Sequence, residues 1–175
     1  IVVFPPAYHA FRKIITANDR NILDCPLVEQ NGRYVMDFDD AQKRLTPRST
    51  MVFFCSPHNP GGTLWTASEI KALAQFCLKN NLILVSDEIH CDLLFDGNKH
   101  TPTIAAAPEI ADKLVTCVAA TKTFNLAGAH VGACITTNPD MKKKLDARIN
   151  ASGLSSYNSF GMIATEAGWR TGEDW

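Results

Sequence analysis

Three short apolar runs constrain what this chain can fold into: Met51 to Cys55, Leu82 to Val85 and Leu114 to Val118. A strand with one wet face alternates polar and apolar residues, whereas a continuous apolar run needs cover on both faces. Segments with helical spacing lie between and around the runs. Strands that alternate with helices in this way predict a three-layer α/β/α domain built on a mostly parallel sheet. Of the 175 residues, 46% are hydrophobic and 20% charged, enough apolar material for a sizeable core.

The remaining elements follow from local signals. Ile1 to Phe4 reads as a strand broken by Pro5-Pro6, and Tyr8 to Ala17 as a helix with Phe11, Ile14 and Ile15 on one face. Asn21 to Val28 reads as a second strand, Asn31-Gly32-Arg33 as a turn and Phe38 to Leu45 as a short helix. Thr66-Ala67-Ser68-Glu69 is a capping box that opens a helix running to about Lys79. Val131 to Thr136 is a further strand, and Asn138-Pro139-Asp140 starts a helix with proline at its first position. Asn158 to Trp169 is an amphipathic helix.

Bulk properties exclude several classes. The net charge of −1 offers no broad field for nucleic acid or a membrane surface, and Lys142-Lys143-Lys144 reads as the solvated face of a helix. No apolar run approaches the roughly 20 residues of a membrane span. The six cysteines form no C-x-x-C pair and mostly lie in apolar runs. They read as reduced core thiols of a cytoplasmic protein. No His, Cys and Asp spacing suggests a metal, and no nucleophile elbow supports serine hydrolysis. His9, His58 and His100 read as surface or loop residues, with His58 placed to line a loop.

Three polar residues stand just beyond the C-terminal ends of apolar strands, where open α/β sheets bind ligands. Asn59 lies in Ser56-Pro57-His58-Asn59-Pro60-Gly61-Gly62, Asp87 in Ser86-Asp87-Glu88-Ile89-His90, and Lys122 in Ala119-Ala120-Thr121-Lys122-Thr123. A lysine presented on a small-residue turn in a confined site can lose its proton and form an imine with an aldehyde.

In this order and spacing the three segments resemble the fold-type I, pyridoxal-phosphate-dependent class I/II aminotransferases. The Asp-Glu-Ile-His tetrad resembles their carbon–sulfur lyase branch, the cystathionine β-lyases of the MalY/PatB type. The resemblance implies pyridoxal 5'-phosphate held by Lys122 as a Schiff base. Asp87 would keep the ring nitrogen protonated, and Asn59 and His90 would donate to the ring oxygen. Tyr8 would stack on the ring, and Thr121 would donate to the phosphate. Two positions depart from the family: Ala119 replaces a phosphate-binding serine, and His130 replaces a bidentate arginine. Gly61 stands where most relatives carry threonine.

The implied substrate is a small amino acid. An S-substituted cysteine such as cystathionine would be cleaved to thiol, pyruvate and ammonia. An aminotransferase of the same family is the alternative, and a non-catalytic module on the same scaffold is a third reading. The family also implies a homodimer for the full-length protein. Residues 1–175 are expected to be part of the large cofactor domain, without the upstream phosphate loop and the small C-terminal domain, and the isolated chain is expected to be inert.

Overall fold

The computed structural model describes residues 1–175. Its first elements are β1 (Val2–Val3), α1 (His9–Ala17), β2 (Leu23–Asp24) and a hairpin of β3 (Val28–Gln30) and β4 (Arg33–Val35). Next come α2 (Phe38–Arg44), β5 (Met51–Cys55), α3 (Ala67–Lys79), β6 (Ile83–Asp87) and α4 (Thr103–Ala106). A 3₁₀ segment, Pro108–Lys113, leads into β7 (Leu114–Val118) and α5 (Ala120–Thr123). The last elements are β8 (Ala133–Ile135), α6 (Pro139–Ala151) and α7 (Ser159–Thr171).

One six-stranded sheet carries the fold, in the order β2-β1-β5-β6-β7-β8. All its neighbours run parallel except β8, which is antiparallel to β7. The three apolar runs are its central strands, as their two-sided hydrophobicity requires. Val2, Val52, Leu84 and Leu114 stand side by side in register. They form one buried cluster with Ala41 of α2 and Ile70, Leu73 and Phe76 of α3. Each such side chain contributes about 1.5–3 kcal/mol on burial. On the opposite face, Val3 and Cys55 meet Phe11 and Ile15 of α1. The layers are those of the expected α/β/α domain. Strand order reverses between β1 and β5, so the crevice at that switch point opens where the loops after both strands emerge.

The capping box of α3 forms in both directions between Thr66 and Glu69, and Asn138 caps α6 ahead of Pro139. The segment from Asn21 to Val28 departs from a single strand. The regular strand covers only Leu23 and Asp24, yet Cys25 N–H still donates to the Val3 carbonyl at 2.9 Å and Leu27 N–H to the Pro5 carbonyl at 2.7 Å, on either side of Pro26, before the chain turns into the hairpin. Asn31 and Gly32 form its turn with φ of 52° and 79°. Ile14 is 49% exposed, because the sheet covers only the Phe11 and Ile15 stripe of α1. Helix α7 keeps Phe160, Ile163 and Trp169 exposed, and Trp169 lines a cavity together with the exposed Ile135 of β8. Cys134 on β8 is exposed rather than part of the core.

A buried polar network braces the end of β6. Glu88 is 3% exposed and accepts from Ser86 Oγ at 3.0 Å and Thr103 N–H at 3.0 Å. His100 Nε2 lies 2.8 Å from Glu88 Oε2 and holds the proton there, since an ionised carboxylate only accepts. His100 is therefore a buried brace and not a surface residue. Burial works to raise the Glu88 carboxyl, but the bonds from His100 and Thr103 outweigh it and hold it below its ordinary 4.5. Its stabilising contribution is thus present above that value and fades as pH falls through the depressed folded value. Glu88→Ala leaves several buried donors unpaired and is expected to cost about 3 kcal/mol in urea unfolding at pH 7. Glu88→Gln should flatten the acid limb of the stability curve; an unchanged limb and midpoint would show that the network carries no weight.

Candidate active site

The site is assembled from three strand exits on the α1 side of the sheet. Cys55, Asp87, Cys117 and Cys134 form one row across β5, β6, β7 and β8. Asp87 is the last residue of β6 rather than one beyond it, so the sheet itself fixes its backbone. Its carbonyl accepts from Ser56 N–H at 2.9 Å, and its Oδ1 accepts from Ile89 N–H at 3.2 Å. Burial pushes the Asp87 carboxyl up from its ordinary 3.8, and the Ile89 N–H and the charges of His90 and Lys122 offset only part of that. Such a carboxylate gains from a cationic partner brought to its open oxygen.

Asn59 sits half-buried in the loop after β5, between cis Ser56–Pro57 and Asn59–Pro60 bonds. The loop is pinned at both ends. Trp65 Nε1 donates to the Cys55 carbonyl at 2.9 Å, and His58 N–H donates to the Thr63 carbonyl at 2.9 Å. Arg33 of β4 reaches across to Glu69 and the Leu64 carbonyl and lies over the Trp65 ring. Asn59 and His90 share the wall of an open cleft of about 540 Å³, together with Leu93 and Leu94. His90 lies in the turn after β6, and its backbone carbonyl accepts from Leu93 N–H.

Tyr8 caps the start of α1 without a side-chain cap bond. It packs edge-on to Phe11 at 5.8 Å, against the cluster that contains Cys55. It therefore stands on the same face as Asp87. Lys122 lies in the single turn α5 rather than in an open loop, and it is exposed. The confined, partly desolvated setting expected for it is not present within this chain. Thr121 is buried beside it at 8% exposure. Ala119 precedes α5 in extended backbone, and His130 is exposed with φ of 51°.

Asn59 and His90 thus meet in one cleft, and Asp87 lies within electrostatic reach of His90 and Lys122. Tyr8, Thr121 and Lys122 do not line that cleft. Two further residues shape the Asn59 loop. His58 is buried at 7% exposure, between the rings of Tyr34 and Trp65. Burial pushes its pKa down, and the Pro6 carbonyl offsets part of this, so it serves as a neutral packing residue. Its position between two prolines was the only sequence signal. Gly61 has a steric reason: a Cβ there would stand 2.6 Å from both His58 Nδ1 and Tyr34 Cδ2. Gly61→Ala is expected to lower stability by about 1–3 kcal/mol, read as a lower thermal midpoint. A midpoint at or above that of the parent chain would mean that the loop is free to adjust.

Comparisons with known proteins bear on this geometry. The family model described as aminotransferase class I and II matches residues 1–167. The chain is 39% identical to cystathionine beta-lyase PatB of Bacillus subtilis, over all of this chain and 46% of that protein. It is 30% identical to an aspartate aminotransferase of Geobacillus stearothermophilus, over 81% of this chain and 36% of that one. The crystal structure of cystalysin from Treponema denticola, which contains pyridoxal 5'-phosphate, superposes with a TM-score of 0.94. That match is 33% identical and covers 99% of this chain and 44% of cystalysin. The chain thus spans less than half the length of these relatives. Pyridoxal 5'-phosphate is the cofactor of this group of enzymes, and the half-buried Asp87, whose carboxyl is raised by burial, fits a protonated ring nitrogen. With the family model matched from its first residue to residue 167, the chain belongs to the class I and II aminotransferases, among the members most like carbon–sulfur lyases.

Proposed function

We propose that this chain is the cofactor-binding part of a pyridoxal-phosphate-dependent carbon–sulfur β-lyase. Its substrate would be cystathionine or a related S-substituted cysteine. The observation that carries the reading is the half-buried Asp87 carboxylate at the end of β6, raised by burial and within reach of the Lys122 charge. Similarity to PatB along the whole chain, and His90 on the Asn59 cleft, favour the lyase branch.

When bound, the cofactor supplies an aldehyde for an amine and a ring that draws electrons from the substrate Cα. The chain's own residues do the rest. Lys122 would hold the aldehyde and, once freed by the substrate amine, would take the Cα proton at Nζ. Asp87 would keep a proton on the ring nitrogen, which would make that withdrawal effective. Asn59 and His90 would donate to the ring oxygen, Tyr8 would cover one ring face, and Thr121 would donate to the phosphate. The Cβ–S bond breaks and the thiolate leaves with the electron pair. Net, a thioether amino acid and water give thiol, pyruvate and ammonia. Without a thiol leaving group, return of the proton from Lys122 leads to amino transfer. The similarity to aspartate aminotransferase keeps that second reading in view.

The residues 1–175 would be a portion of the large domain of a longer cytoplasmic homodimer. The shorter span relative to the relatives and the exposed Ile135, Ile163 and Trp169 support further covering structure. No helix of the chain is long and apolar enough to cross a membrane.

The full-length protein should release pyruvate and thiol from cystathionine. Amino transfer to a 2-oxo acid with no thiol release would replace the lyase by the aminotransferase. Lys122→Ala should abolish the borohydride-reducible cofactor adduct seen by mass analysis, and an adduct retained in that variant would move the imine elsewhere. Asp87→Asn tests the electrostatics. A raised carboxyl means that the folded apo protein is destabilised as pH rises through and above 3.8, so removing the charge should leave the neutral-pH midpoint unchanged or higher. The thermal shift on adding cofactor should shrink, on the order of a tenfold loss in affinity. A lower apo midpoint with an undiminished cofactor shift would contradict this role.

A further inference from the structure

Asp87 stands between two members of the buried network. Ser86 and Glu88 flank it in the chain, and neighbouring residues of a strand leave on opposite faces. Ser86, in register with Phe54 of the main cluster, therefore turns to the α3 side, and Asp87, in register with Cys55, turns to the α1 side. We propose that His100, acting through Glu88, is a positioning residue that holds the Asp87 carboxylate toward the ring nitrogen of the cofactor. This inference rests on the role of Asp87 proposed above.

The peptide between Glu88 and Ile89 joins the two sides. Its N–H belongs to Ile89 and donates to Asp87 Oδ1 at 3.2 Å, the one hydrogen bond that this carboxylate receives. Its carbonyl belongs to Glu88 and accepts from Cys91 N–H at 3.0 Å, which starts the turn that carries His90. Ahead of it, Glu88 N–H donates to the Cys117 carbonyl at 2.9 Å. Beyond that bond, the Glu88 side chain is what fixes the peptide.

That side chain is held at both oxygens. Oε1 accepts from Ser86 Oγ and from Thr103 N–H, each at 3.0 Å. With its own proton on Glu88, Ser86 accepts from Thr103 Oγ1 at 2.8 Å. Oε2 has only His100 Nε2, at 2.8 Å. His100 has no second polar anchor, since its Nδ1 is buried without a partner. Ser86 and Thr103 are 0% exposed and the His100 side chain 8%, so contacts within residues 1–175 set this geometry. Loss of the His100 donor leaves a buried carboxylate oxygen unpaired. Glu88 then turns or takes up a proton, the peptide after it rotates, and the Ile89 N–H leaves Asp87. A charge-assisted bond to a ring nitrogen depends on direction, so a carboxylate free to swing binds the cofactor less well.

The test is a double-mutant cycle in the full-length protein, read as affinity for pyridoxal 5'-phosphate from the absorbance of the bound cofactor. His100→Leu should weaken binding about tenfold, whereas His100→Gln, whose amide donor takes the place of Nε2, should stay within about twofold of the parent. In the Asp87→Asn background, His100→Leu should cost less than about twofold more, because no carboxylate is left to position. The thermal midpoint of the cofactor-free protein should fall with His100→Leu in both backgrounds alike, which separates stability from positioning. Ser86→Ala is a smaller deletion in the same network, and it should repeat the pattern at about threefold even where His100→Leu does not fold. Equal weakening in both backgrounds would make the network a structural support and overturn the proposal. Unchanged affinity in His100→Leu and Ser86→Ala, or a folded His100→Gln as weak as His100→Leu, would overturn it too. Absence of thiol release from cystathionine with these ratios intact would overturn the lyase assignment alone. An affinity unmoved by Asp87→Asn would overturn the role of Asp87 and this positioning role together.

Discussion

A half-buried carboxylate at the exit of a central strand is the constraint on which the site depends. Asp87 is hydrogen-bonded through its backbone to the loop after β5, and its Oδ1 receives one N–H from Ile89. Its charge is disfavoured in that position, and the chain supplies too little donor capacity to compensate. A fold tolerates such a group when something else stabilises it, and a ligand with a cationic nitrogen does so. Packing on the opposite face keeps the arrangement from relaxing: Leu84 and Leu114 anchor β6 and β7 in the main cluster.

Neighbouring acids in sequence take opposite roles because alternate residues leave a strand on opposite sides. Asp87 stays on the α1 side with Cys55 and Cys117. Glu88 is buried against Ser86, His100 and Thr103 and is held ionised by them. One carboxylate is satisfied within the protein and braces the turn, while the other is left for a partner. The loop after β5 follows a similar logic. Trp65, His58 and Gly61 fix its course through packing and two backbone bonds, and so Asn59 is presented with little freedom to lose on binding.

Much of this was legible in the sequence. Two-sided apolar runs require cover on both faces, so the central strands and the layer order followed directly. The Thr66–Glu69 box, the Asn138-Pro139 start and the Asn31-Gly32 turn are local devices, and each formed where the local chemistry demands it. Asn59, Asp87 and Lys122 stood out because strand exits are where an open sheet binds. His100 lies in a loop as expected, but the burial of its side chain was not legible because its partner, Glu88, is twelve residues away in the chain. The Asn21 to Val28 segment is regular strand only over Leu23 and Asp24, although Cys25 and Leu27 still donate to the Val3 and Pro5 carbonyls beyond it. The exposure of Lys122 and the edge position of Cys134 depend on which strand lies outside β7.

The sequence by itself determined the periodicities, the caps and the set of residue types that carry the chemistry, because these depend on neighbours within about four positions along the chain. Only the tertiary structure decided which side of the sheet each acid faces, that Gly61 is held small by His58 and Tyr34, and that Cys117 meets Cys134. Those outcomes are fixed by strand register and side-chain packing between segments far apart in the chain, where a shift of one residue would turn every side chain to the other face.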